Sequence, residues 1–170
     1  MEDKWTGARR IGKDVCKHFE GCHLVSYILK GETWATIGWG TAIPLSQHPR
    51  KITQAEADQM FDTAFARKEA CLRKEIPAAV LDKLSASALG ALLSFRYNMK
   101  DQVWLSPKCN TRLSLAQGNM TGFWIWHSKW VNGEAGPLAG LKRRRKVEKD
   151  LASGVTLESI KKANWYQGQF

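Results

Sequence analysis

Apolar residues first recur at a spacing of four, at Ile11, Val15 and Phe19, with Lys, Arg and Asp between them. That pattern predicts an amphipathic helix over 6–20 that stops at Gly21. The period then changes. Residues 24–39 carry Tyr27, Ile28, Thr33, Trp34, Thr36 and Ile37 around Lys30-Gly31, and β-branched and aromatic residues flanking a glycine predict a small hairpin. Residues 41–51, with Pro44 and Pro49, read as a loop. Thr53-Gln54-Ala55-Glu56 has the form of a capping box, opening a helix through about Lys74 with Ala57, Met60, Phe61, Ala64 and Phe65 on its apolar face.

Beyond that helix the whole chain reads helical. Residues 84–99 are apolar nearly all round, as in a buried central helix. Shorter helices are predicted over 107–117, 122–130, 138–153 and 157–163, with Pro77 and Pro107 suited to first helical turns. Trp124, Trp126 and Trp130 then share one short helix, and at least two of them belong to a core rather than to a sugar-stacking surface. The fold class is α+β in a single domain over 1–170. A hairpin lobe over about 22–52 stands beside a helical lobe made of about 75–170 and the helix at 6–20. The long helix joins them, and the cleft lies where they meet.

Size and composition add little to this picture. At 170 residues, with 44% hydrophobic and 25% charged residues, the chain is an ordinary globular protein. No apolar run reaches the length of a membrane span, and residues 1–4 lack the basic-then-apolar order of a secretory signal. Four scattered cysteines without a metal-binding spacing are expected to be reduced thiols, consistent with a cytoplasmic protein.

Charge does change the picture, because 26 Lys and Arg against 16 Asp and Glu leave a formal +10. A polyanionic partner follows, but charge alone does not choose between nucleic acid, an anionic membrane and the bacterial wall. No nucleic-acid-binding motif accompanies it. The run from Lys142 to Lys146 reads as a solvated helix face, part of which turns inward.

The candidate chemistry sits at the first change of period. Glu20 ends the first helix at its negative pole, a position that suits a proton donor, and Glu32 and Thr36 follow in the hairpin. Two acids and a hydroxyl in one cleft are what glycoside hydrolysis needs: one carboxylic acid protonates the leaving oxygen and a second carboxylate handles water or attacks the anomeric carbon.

Glu20-Gly21-x-x-Leu24-x-x-Tyr27, followed by Thr36-Ile37-Gly38-Trp39-Gly40-Thr41, resembles the phage-type lysozymes, or endolysins, of glycoside hydrolase family 24. Leu92-Leu93-Ser94-Phe95-Arg96-Tyr97-Asn98 is similar to that family's central helix. Pro137-Leu138-Ala139-Gly140-Leu141-Lys142-Arg143-Arg144-Arg145, leading to Glu148 and Leu151, is similar to its Gly-Leu-x-x-Arg-Arg-x-x-Glu helix. The three motifs stand in collinear order over about 11–154.

The resemblance implies a lysozyme-like fold and a muramidase that cleaves the β-1,4 bond between N-acetylmuramic acid and N-acetylglucosamine in peptidoglycan, without a cofactor or metal. It implies Glu20 as general acid and Thr36 as a holder of the attacking water. Arg144, with Arg145 as the fallback, would pair with the glutamate, and Trp39, Gly40 and Asn98 would line the sugar cleft. It also implies a monomer made in the host bacterial cytoplasm that acts on the wall after release, with no nucleic-acid partner and no stable membrane insertion. One position departs from the pattern, because many relatives carry Asp nine residues after the glutamate and Leu29 stands there. Glu32, four residues before Thr36, is therefore the expected base. Two rival readings stay open: a lytic transglycosylase that needs Glu20 alone, and a basic wall- or membrane-binding protein that cleaves nothing.

Overall fold

The computed structural model describes residues 3–29, 31–133 and 136–166. Helix α1 (Lys4–Glu20) starts where Asp3 accepts a hydrogen bond from the Thr6 N–H, and it ends at Gly21, whose φ of 68° carries the chain away from the helical path. Its buried face, Gly7, Ala8, Ile11, Gly12, Val15 and Cys16, lies against the central helix. Small residues set that approach: a Cβ on Gly90 would come within 2.7 Å of Ile11, so the two helices meet nearly backbone to backbone.

The predicted hairpin is a three-stranded antiparallel sheet, β1 (His23–Tyr27), β2 (Trp34–Gly38) and β3 (Thr41–Pro44), in the order β1-β2-β3. The third strand corrects the loop expected over 41–51, of which only the remainder is irregular. It pairs Trp34 with Pro44, Ala35 with Ile43, Thr36 with Ala42 and Ile37 with Thr41. The prolines misled because Pro44 closes an edge strand, where its missing N–H costs no ladder bond. A 3₁₀ turn (Leu45–Gln47) follows, and Lys51 returns to bridge Val25. Alternation decides the faces: Ala35, Ile37 and Ile43 are buried with Ile52 and Ala57, while Trp34, Thr36 and their partners lie on the other face. Trp39 lies in the turn after β2, so its orientation does not follow strand alternation.

Helix α2 (Gln54–Glu75) opens with the expected capping box, the Thr53 hydroxyl accepting from the Glu56 N–H at 3.2 Å and the Glu56 carboxylate from the Thr53 N–H at 2.7 Å. Ala57, Phe61 and Phe65 of its predicted apolar face are buried, Ala57 beneath the sheet and Phe61 and Phe65 in the main core. After the short α3 (Ala78–Leu81) comes the central helix α4 (Ala86–Asn98), capped by Ser85 and buried from Ala88 to Arg96.

A helical turn, α5 (Asp101–Trp104), was not foreseen. Next come α6 (Asn110–Ala116) and α7 (Met120–His127), then the two-residue strands β4 (Asn132–Gly133) and β5 (Gly136–Pro137), and finally α8 (Ala139–Ala152) and α9 (Leu157–Lys162). Pro107 precedes α6 rather than opening it, and Trp130 falls beyond α7 rather than within it. Trp124 and Trp130 do pack on the core, with the Trp130 indole donating to the Thr111 hydroxyl at 2.7 Å. All four cysteines are free. Among the described residues no helix is long and apolar enough to cross a membrane. Of the C-terminal segment after Val155, residues 167–170 lie outside the described residues.

Candidate active site

Three elements converge on Glu20. Helix α1 presents the carboxylate from its last residue, α8 supplies Arg144 from below, and the turn after β2 lays Gly40 against it. Arg144 is buried, and its Nη1 donates to Glu20 Oε1 at 2.5 Å. The other carboxylate oxygen, Oε2, lies only 3.3 Å from where a Cβ on Gly40 would be, and Gly40 has a φ of 89°. Glycine is required there on both counts. Glu20, Arg144 and Asn98 line a cavity of about 550 Å³ with His18, Phe19 and Leu138. A larger cavity, about 640 Å³ around Cys109, Trp126, Lys129 and Trp130, contains none of the candidate residues. The chemistry of the lining, rather than size, marks the smaller one as the site.

Arg144 is itself held by a buried polar cluster. Its Nη2 donates to the Ser94 carbonyl at 3.0 Å, and its Nε lies 3.3 Å from Glu148 Oε1. Glu148 is fully buried; Oε1 accepts from the Ser94 hydroxyl at 2.6 Å, and Oε2 lies 2.8 Å from His127 Nε2 and 3.0 Å from Arg145 Nε. Two guanidinium groups and two carboxylates make this cluster electrically balanced. Burial alone would push the Glu148 carboxyl up, but Arg145, His127 and Arg144 outweigh it and hold the group at about 2. Burial pulls Arg145 down to about 10, while for Arg144 the neighbouring anions overcome burial and raise it. Burial also lowers His127, against the pull of Glu148, so its imidazole is neutral near pH 7. Cys16, 3.4 Å from Arg144 Nη2, is pushed up to about 12 by burial and stays a thiol.

The sequence pattern of the phage lysozyme family matches residues 17–148, which run from the last turn of α1 to this cluster. The chain belongs to the phage lysozyme family. This lysozyme is 28% identical over 142 residues to an endolysin of Acyrthosiphon pisum secondary endosymbiont phage 1, a match covering 82% of this chain and 93% of that relative. It superposes with a TM-score of 0.65 on the endolysin from Escherichia coli O157:H7 phage FAHEc1, at 26% identity over 85% of this chain and 92% of that one. Its fold is shared with the muramidase domain of SpmX from Asticaccaulis excentricus, with a TM-score of 0.69 at 22% identity, covering 84% and 94%. It is a peptidoglycan-degrading glycoside hydrolase of the lysozyme kind.

In this lysozyme Glu20 and Arg144 meet as the motifs imply, whereas the fallback, Arg145, turns to Glu148 and to Asn98, whose Oδ1 accepts from Arg145 Nη2 at 3.0 Å. Glu32 lies between β1 and β2, two residues before β2, its N–H donating to the Leu29 carbonyl at 3.0 Å; Lys30 lies outside the described residues. Among the described residues the Glu32 carboxylate has no hydrogen bond or ion pair. Burial first, and then the charges of Glu20 and Glu32, push the Tyr27 phenol up. Thr36 pairs with Tyr27 across β1 and β2, which puts both on the face away from the buried side of the sheet. Leu29, the position at which the resemblance leads one to expect Asp, is half exposed.

Trp39 is placed differently from the expectation. Its indole N–H donates to Asp58 at 2.8 Å, its ring packs on Phe61, and it does not line the cavity with Glu20. Its carbonyl accepts from the Tyr97 hydroxyl at 3.3 Å, tying the turn that carries Gly40 to α4. Trp34 reaches the helical body instead, with the Lys100 ammonium 5.4 Å from its ring centre. Sequence reasoning missed the parts played by Ser94, Tyr97 and His127. For Glu148 a signal existed: Val147 and Leu151 fix the inward stripe of α8, and Arg144 and Glu148 fall on it. Among the described residues no group of three His, Cys, Asp or Glu side chains could hold a metal.

Proposed function

We propose that this lysozyme hydrolyses the β-1,4 bond between N-acetylmuramic acid and N-acetylglucosamine, with Glu20 as general acid and Glu32 and Thr36 handling the water. The observation that carries the reading is the ion pair of Glu20 with buried Arg144 at the mouth of a cavity. Arg144 occupies Oε1, which leaves Oε2, beside Gly40, to carry the proton given to the leaving oxygen. Glu32 then takes a proton from a water held by Thr36, and that water attacks the anomeric carbon from the opposite face. Two carboxyl groups about 6.5–9.5 Å apart would leave room for the water and give inversion. Asn98, in the same cavity, and Gly40, beside the Glu20 carboxylate, complete the sugar-binding side. The enzyme works as a monomer without cofactor, is made in the bacterial cytoplasm and meets the wall after release, its +10 charge drawing it to the anionic polymer rather than to nucleic acid.

A second reading, a lytic transglycosylase using Glu20 alone, is favoured by one observation: half-exposed Leu29 stands where the resemblance leads one to expect Asp. There the sugar's own hydroxyl attacks and water is not needed. Mass spectrometry of digested peptidoglycan separates the two. Reducing muramic ends, lost in Glu20→Gln and strongly diminished in Glu32→Gln, are the expected result; anhydro-muramic ends with an active Glu32→Gln would replace the hydrolase by the transglycosylase.

A further inference from the structure

We infer that Glu148 is a positioning residue for the reaction, competing with Glu20 for Arg144 and thereby setting how readily Glu20 gives up its proton. The inference rests on Glu20 being the proton donor. Arg144 faces two carboxylates across one guanidinium: Nη1 meets Glu20 at 2.5 Å and Nε meets Glu148 at 3.3 Å. A cation shared between two anions stabilises each less than it would stabilise one alone, and the anions also repel each other. The inner carboxylate is fixed in that competition. Ser94 and His127 each donate to one of its oxygens, at 2.6 and 2.8 Å, and Arg145 closes on the same side. Whatever strengthens the hold of these donors on Glu148 frees Arg144 for Glu20, and whatever weakens it does the reverse.

Other ionisable groups around Arg144 and Glu148 do not compete over the working range. From α1, Cys16 is kept a thiol by burial, and from α4, Tyr97 is kept a phenol by the same cause. From α8, Arg145, lowered only to about 10, stays a cation, and Lys149 adds its charge on the side of His127. From α7, His127 is neutral and donates through Nε2, while its Nδ1 has no partner among the described residues. His127 sits among the rings of Phe95, Phe123 and Trp124, with centroids 4.7, 5.8 and 4.9 Å away. A phenyl ring fits that cage, so His127→Phe deletes the donor to Glu148 and breaks no other hydrogen bond. The structure therefore offers two substitutions of opposite sign on one line of contacts.

The test is kcat/KM against pH on soluble uncrosslinked glycan strands, where the alkaline limb follows loss of the proton from the general acid. Glu148→Gln leaves Arg144 to Glu20 alone, and the limb moves down by about one pH unit. His127→Phe throws Glu148 harder onto Arg144, and the limb moves up by a smaller amount; His127→Gln restores a donor and returns it to the wild-type position. Should Glu148→Gln fail to fold, Ser94→Ala, which removes the other donor, takes its place with the sign expected for His127→Phe. Limbs that stay at the wild-type pH while kcat merely falls would overturn the inference and leave Glu148 a structural ion. Glu20→Gln, run alongside, separates the two levels: if it keeps activity, Glu20 is not the acid, and if it is inactive while the limbs do not move, only the part assigned to Glu148 is wrong.

Discussion

The two sides of the site are built on different terms. On the helical side, Glu20 is ion-paired to an arginine that is 2% exposed, and behind it lies Glu148, to which Ser94, Arg145 and His127 each bond. On the sheet side, Glu32 sits in a turn, fixed by its backbone alone, and Thr36 stands on a three-stranded sheet with no side-chain partner among the described residues. A proton donor must be held in one geometry, and buried layers of polar contacts supply that rigidity. A residue that handles water works at a looser, solvated edge. The lysozyme has put its packing behind one acid and left the other to the turn.

The largest effects should come from cutting the rigid side. Glu20→Gln keeps shape and hydrogen bonding but removes the transferable proton, so kcat should drop about 10³-fold or more while the melting temperature changes little. Arg144→Ala strikes stability as well. It leaves Glu148 and Glu20 without their shared cation, and removing one partner of a buried pair costs about 3–5 kcal/mol. Urea unfolding should show that loss; a loss under about 1 kcal/mol would mean that the cluster is not the keystone of this side.

On the sheet side the expected effects split differently. Glu32→Gln should lower kcat about 10²-fold with the unfolding midpoint unchanged, because its side chain holds nothing in place. If kcat stays at the wild-type level, the sheet side carries no catalytic base and the contrast between the two sides becomes absolute. Thr36→Val, which keeps the β-branched shape and deletes the hydroxyl, should cost less than Glu32→Gln, since it removes a holder of water and not the acceptor of its proton.

The contrast also has a pH signature, since the rigid side buries His127 and Glu148. His127 has a folded value below its ordinary 6.5, so the unfolded chain takes up a proton there first, and stability begins to fall as the pH drops below about 6.5. Glu148, held at about 2 against an ordinary 4.5, contributes stability that is complete above about pH 4.5 and is lost as the pH falls toward 2. Asp101 acts in the same lower window: burial would raise it, but Lys68 and Arg96 hold it at about 2. The melting temperature should therefore decline in two stages on acidification, and His127→Phe should shrink the upper one alone, leaving the part that His18, also lowered by burial, contributes.

The same division explains what could be read from the chain beforehand. Helix α1 and its stop at Gly21, the capping box of α2 and the buried face of α4 are local patterns, and each was legible because a few neighbouring residues decide it. Strand β3 was not, because Pro44 punctuates like a loop and only the partner strand, whose Trp34 lies opposite, reveals it as the end of an edge. Glu20 and Arg144 were legible through motifs 124 residues apart. The layer behind them was harder to see: Ser94, His127 and Glu148 sit on three different helices, and nothing local to α4 or α7 says that a serine and a histidine will meet one carboxylate. Charge patterning on α8 read as a solvated face with a part turned inward, and the stripe fixed by Val147 and Leu151 shows which part, carrying Arg144 and Glu148.

The smallest expected effect tests where the two sides touch. Gly40, in the turn leaving β2, adopts a φ of 89° and presses against Glu20 Oε2, so Gly40→Ala adds both a conformational cost of about 1 kcal/mol and a methyl carbon 3.3 Å from the oxygen proposed to carry the proton. The turn cannot retreat freely, because the Trp39 carbonyl is tied to Tyr97 and its indole to Asp58. Glu20 cannot retreat either, because Arg144 holds its other oxygen. A contact that neither partner can relieve should lower kcat about tenfold, beyond what the loss of about 1 kcal/mol in stability explains, while Gly31→Ala, at a φ of 88° with open space around it, should show the stability cost alone. Equal effects of the two substitutions on kcat would mean that Gly40 serves only the backbone and that the acid has room to move.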